Sequence, residues 1–140
     1  MKMRVKRLTS TATLPMYAHE DDAGLDLYAD KEVTLLPGER LQIPTGIALA
    51  VPLGHVGLIW DKSGLSHRRG LKTLGGVIDA GYRGEVLVGM VNLGTEAHTF
   101  HVGDKVAQVI IQLVAHPVLE EVDIFEETER GDKGFGSSGV

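Results

Sequence analysis

The sequence predicts an all-β domain, a sandwich or barrel of short strands, and three observations carry that prediction. Short apolar runs alternate large and small residues, turn signals recur between them, and 18 glycines accompany only 5% aromatic residues. Glycine supplies the backbone conformations that tight turns need, so this mixture suits strands joined by turns better than a helical bundle. A chain of 140 residues, 43% of them apolar, is long enough for one domain with its own core. Neither a linker nor an internal repeat interrupts it.

Taken in order, Leu25-Asp26-Leu27 reads as a short strand whose single carboxylate points away from its leucines, to solvent by default. Turns follow at Leu36-Pro37-Gly38 and Pro44-Thr45-Gly46. Residues 47–51 alternate as a strand, Pro52-Leu53-Gly54 turns the chain, and residues 56–60 alternate again. Residues 64–69 read either as a surface turn or as one short helix with Ser63 as N-cap and Gly70 as its stop, Arg68 and Arg69 then being favoured by the dipole at its end. Asp79 precedes the turn Ala80-Gly81 and is expected at a hairpin tip. Residues 85–90 give a further strand, turns fall at Asn92-Leu93-Gly94 and Val102-Gly103-Asp104, and residues 106–114 read as a longer buried strand. The chain ends in a Gly/Ser-rich segment carrying Arg130, Lys133 and Phe135, which reads either as a frayed tail or as a segment that orders over a phosphate-bearing ligand.

Several chemistries are excluded. Without cysteine there is no disulfide, thiolate nucleophile or Cys-ligated zinc. The six histidines form no ligand pattern, since His98 and His101 fall on opposite faces of a strand. Neither a Gly-x-Ser-x-Gly elbow nor a Walker-type loop occurs. A net charge of −5 argues against broad nucleic-acid binding, while leaving room for one small anion held by local cations and N–H groups. The basic start opens no apolar run, and no run is long enough to span a membrane, so a cytoplasmic protein is expected.

Five segments, in order, resemble the five motifs of the trimeric dUTP pyrophosphatase family: Ala23-Gly24-Leu25-Asp26-Leu27; Lys62-Ser63-Gly64-Leu65; Gly76-Val77-Ile78-Asp79 through Tyr82-Arg83-Gly84; Gly103-Asp104-Lys105-Val106-Ala107-Gln108; and Arg130-Gly131 through Gly134-Phe135-Gly136-Ser137. The resemblance implies a β jelly roll over residues 1–129 and an arm, residues 130–140, that closes over the active site of a homotrimer whose sites are shared between subunits. It implies magnesium-assisted attack of water on the α-phosphorus of dUTP, giving dUMP and pyrophosphate. That reaction would limit uracil incorporation into DNA and supply dUMP for thymidylate synthesis.

Roles follow by the same resemblance. Asp79 would activate the water, and Tyr82 would pack on the deoxyribose. The backbone at Gly76, Val77 and Ile78 would read uracil, and Asp26 would hold magnesium through water. Lys62, Ser63, Gly64 and Gln108 would meet the phosphates. Arg130, Phe135, Gly136 and Ser137 would come from the closing arm, with Phe135 on the base. The second motif reads Asp61-Lys62-Ser63-Gly64 where the family commonly has Pro-Arg-Ser-Gly, and Lys133 stands where it commonly has Gly. The base-reading segment Thr73-Leu74-Gly75-Gly76 lacks an Asn common among bacterial members, which leaves base reading mostly to backbone. The sister dCTP deaminases share the third motif but carry a catalytic Glu ten residues past the matched Asp, where this chain has Gly89.

Overall fold

The computed structural model describes residues 1–132 and Gly134. Among the described residues eleven strands and one helix run in the order β1 (Arg4–Arg7), β2 (Leu25–Tyr28), β3 (Val33–Leu35), β4 (Arg40–Pro44), β5 (Ile47–Ala50), β6 (His55–Trp60), α1 (Ser63–Arg69), β7 (Leu71–Leu74), β8 (Val77–Ile78), β9 (Leu87–Asn92), β10 (His98–Phe100) and β11 (Lys105–Leu113). Every strand pair is antiparallel. The two larger sheets have the orders β2-β11-β6-β8 and β4-β9-β7, and β1-β5 and β10-β3 form two-stranded pairs. Strands distant in sequence lie side by side, as in a jelly-roll-like sandwich.

The core follows from period-two alternation. Along β9, Val88, Met90 and Asn92 are buried while Leu87 is exposed. Leu27, Leu35, Ile43, Leu49, Phe100 and Val109 fill the interior between the sheets. Asn92 is tolerated there because its amide donates to Leu35 O and Glu96 O and accepts from Gly94 N–H.

The four longer predicted strands and the helix are present, with instructive differences. The strand expected over residues 85–90 starts two residues later. Val86 N–H is drawn to Ile47 O rather than to the ladder, and Glu85 Oε1 accepts Gly46 N–H beside it. The helix N-cap is Lys62, with no side-chain cap, and Ser63 is already helical. The extended backbone at Lys62 presents its carbonyl to Leu65 and Ser66 N–H. Gly70 closes the helix at φ 70°, as the sequence required. Nor does Asp79 sit on a paired hairpin: β7 pairs with β9 whereas β8 pairs with β6. Gly75 and Gly76, both at positive φ, carry the chain from one sheet to the other.

Candidate active site

Two groups of the expected site residues are assembled separately. The first lies along β8, an edge strand of its sheet, whose outer row of backbone groups has no strand partner among the described residues. Beside it is a cleft of about 240 Å³ lined by Gly76, Val77, Ile78, Asp79, Tyr82 and Leu87, among others. Gly76 is held by its carbonyl, which accepts Ile59 N–H, and a Cβ there would lie 3.0 Å from Ile59 O. Asp79 is exposed, as expected, and its carbonyl accepts Tyr82 N–H to close the turn. Tyr82 is fixed at its far end, because its hydroxyl donates to Glu85 O at 2.9 Å.

The second group surrounds Asp26, and here the expectation of a solvent-facing carboxylate is overturned: Asp26 is 1% exposed. Its burial is possible because two ammonium groups meet it. Lys62 Nζ donates to Oδ1 at 2.5 Å, and Lys105 Nζ lies 2.7 Å from Oδ2, in ion-pair contact without the direction of a hydrogen bond. Lys105 reaches that face through a β-bulge. The pairs Ala107–Leu27 and Gln108–Asp26 would in regular register put Lys105 opposite Ala29, on the other face. The register shift between Lys105 and Ala107 puts it opposite Tyr28 instead, on the face of Asp26. Burial alone raises the Asp26 pKa, but the contacts and charges of Lys105 and Lys62 outweigh it and hold the carboxyl below its ordinary range.

The remaining expected residues are placed as follows. Gln108, half-buried, donates from Nε2 to Asp61 O at 2.8 Å, and Gly24 leaves room for its side chain, since a Cβ there would fall 2.4 Å from Oε1. Ser63 and Gly64 are exposed at the start of α1, and Arg130 is exposed beyond β11. Phe135, Gly136 and Ser137 lie outside the described residues. Sequence reasoning missed Lys105 as a partner of Asp26. A lone carboxylate between two leucines was the available signal, because burying it demands a cation.

The two groups are far apart on one chain. Gln108 pairs with both Asp26 and Trp60, at one end of β6, whereas Ile78 pairs with Gly57 and Asp79 continues away from Trp60. Asp26 and Asp79 are therefore three strands apart and about four residues offset, which is roughly 20 Å at ordinary strand spacings.

A family model described as dUTPase matches residues 10–139. The chain is 48% identical over 145 residues to the deoxyuridine 5'-triphosphate nucleotidohydrolase of Mycolicibacterium gilvum, covering 98% of this chain and 94% of that one. A variant of the Staphylococcus bacteriophage 80alpha dUTPase with dUpNHpp superposes at a TM-score of 0.94, with 32% identity and 99% of both chains covered. A variant of the dUTPase from phage phi11 of S. aureus, in which coordination of a structural Mg(II) ion is described, superposes at 0.85 with 29% identity, covering 91% of this chain and 100% of that one. On the family model it matches, its identity to these relatives and its superposition on these structures, the chain belongs to the dUTPase family.

Proposed function

We infer that the protein hydrolyses dUTP to dUMP and pyrophosphate. The observation that carries this reading is the meeting of Asp79, Tyr82 and the free edge of β8 in one cleft. An edge strand offers fixed N–H donors and C=O acceptors, and a pyrimidine edge with the complementary pattern can pair with them. Cytosine would leave such partners unsatisfied, which supports discrimination of roughly 10⁴-fold where they are buried. The ring of Tyr82, held by its hydroxyl, closes the sugar side against a 2′-hydroxyl. The Asp79 carboxylate accepts the proton of the attacking water.

The cleft of about 240 Å³ suits the nucleoside half of the substrate and leaves the triphosphate outside it. Lys62, Ser63 and Gly64 serve the phosphates. Gln108 acts there by holding the Asp61 carbonyl, and so the loop that carries them. On one chain these groups are too remote from Asp79 to share a nucleotide, which supports a homotrimer with each site built from several subunits. The segment after β11 supports it too, because Val118, Leu119, Ile124 and Phe125 are 86% or more exposed and need a surface to cover them. Residues 130–140, with Arg130, Phe135, Gly136 and Ser137, form the closing arm, and residues 1–129 the β domain.

Magnesium fits this site as a nucleotide-borne ion. Among the described residues no three acidic or His groups converge to cage a metal. Both Asp26 oxygens already face ammonium groups. Asp26 would hold the ion through water once Lys62 or Lys105 turns from it toward the phosphates, as suits a cation that dehydrates reluctantly and binds substrate phosphates. When bound, magnesium offsets phosphate charge before attack. Among the described residues no helix is long and apolar enough to cross a membrane. We place the protein in the cytoplasm, and its net charge of −5 favours a small-molecule substrate over nucleic acid.

Deamination is disfavoured by Gly89, where a Cβ would lie 2.9 Å from Leu74 O and leave no room for a carboxylic side chain. Pyrophosphate release with magnesium from dUTP, compared with dCTP, dTTP and UTP, tests the reading. Selective turnover of dUTP is expected, and comparable turnover of dCTP, or ammonia release from it, would overturn it.

A further inference from the structure

We propose that Asp61 is a positioning residue that fixes the phosphate-facing loop Lys62-Ser63-Gly64 by tying it to the free edge of β7. The inference rests on the dUTP reading above and concerns a position where the family commonly carries proline, which cannot make these contacts.

Asp61 is the hinge between β6 and α1, and both its side chain and its backbone are held. Its Oδ1 accepts from Thr73 N–H and from Thr73 Oγ1, each at 2.7 Å. Its Oδ2 pairs with Lys72 Nζ at 2.9 Å, and its carbonyl accepts from Gln108 Nε2 at 2.8 Å. Thr73 is nearly buried, and β7 is an edge strand, so its outward N–H would lack an acceptor without this carboxylate. Burial raises the Asp61 pKa, but the bonds from Thr73 and Lys72 outweigh it and hold the carboxyl below its ordinary range.

One residue therefore joins the end of β6, the centre of β11 and the edge of β7, across the two main sheets. The next residue, Lys62, reaches Asp26 on a four-carbon stem and lacks the preorganised fork of arginine. Fixing the backbone immediately before it compensates by limiting where the ammonium and the first turn of α1 can lie. The same clamp reaches β7, which leads through Gly75 and Gly76 to the base-reading edge.

The test compares binding of dUpNHpp, an imido-linked triphosphate, with binding of dUMP, which lacks the outer phosphates. Asp61→Ala should weaken dUpNHpp by about tenfold, the scale of one charge-assisted hydrogen bond, while dUMP changes by less than about twofold. Asp61→Asn keeps an acceptor for Thr73 and should recover most of the loss. Thr73→Val removes only the hydroxyl donor and should give a smaller loss in the same direction, which keeps the test open if Asp61→Ala does not fold. Equal losses for both ligands would mark a merely structural role and overturn the proposal, as would an unchanged affinity ratio in Asp61→Ala or, should that variant not fold, in Thr73→Val. Failure of the unmodified protein to hydrolyse dUTP would instead overturn the functional reading on which the proposal stands.

Discussion

Replacing both Lys62 and Lys105 by methionine should cost more stability than the two single replacements added together. Asp26 is 1% exposed, while the lysine side chains that meet it are 28% and 47% exposed. Either single replacement leaves one ammonium on the carboxylate, so each loss should be small. The double variant leaves the charge buried with neither partner, and stranding such a charge costs about 3–5 kcal/mol, the lower end applying if water reaches it. The shortfall of the summed single losses should be about 1 kcal/mol or more. Urea unfolding at fixed protein concentration measures it, because subunit association would otherwise add to the stability.

The pH dependence supplies an independent sign. In the unmodified protein the lysines hold the Asp26 carboxyl below its ordinary value of 3.8. That contribution is present above the unfolded value and is lost as pH falls through the lower folded one. In the double variant burial acts alone and raises the folded pKa, so the penalty is present near neutrality and shrinks as pH falls through the raised value. His98, whose pKa burial and the nearby Arg69 lower from 6.5, makes every variant lose stability on acidification and cancels in the difference. Additive losses, or a deficit unchanged from about pH 7 to about pH 4, would refute the reasoning.

Three further outcomes are expected. Asp79→Asn keeps the size of an exposed side chain and removes its basicity, so kcat should fall by at least roughly 10²-fold with dUTP affinity largely kept; near-normal turnover would move the base elsewhere. Tyr82→Ala removes the ring anchored on Glu85 O and should admit UTP, and unchanged discrimination against UTP would show that Tyr82 is not the sugar gate. Asp79→Asn chains mixed with chains truncated after Glu129 should regain activity in about a quarter of sites if arm and base come from different subunits. Trimers that demonstrably exchange subunits without any rescue would refute the shared site.

Pattern alone determined that the chain is all-β, because period-two alternation and glycine turns are local properties written into neighbouring residues. It also located one helix with its glycine stop, and the five motifs placed Asp26, Lys62, Asp79, Tyr82 and Gln108 in candidate roles. Short strands escaped notice: β1, β3, β4 and β7 have three to five residues each and are defined by their partners rather than by any internal period.

What only the tertiary structure decided is pairing. Asp79 reads as the tip of a hairpin, yet β8 before it pairs with β6 and β9 after it pairs with β7, in different sheets, since Gly75 and Gly76 redirect the chain between them. Asp26 reads as a surface carboxylate because nothing nearby in sequence offers it a cation. Lys62 is brought to it from 36 residues away, and Lys105 by a bulge that turns one residue to the opposite face. The clamp of Asp61 on Thr73 is equally invisible in one dimension, because Asp61 follows a strand of one sheet and Thr73 lies in the other, and they meet only when those sheets pack.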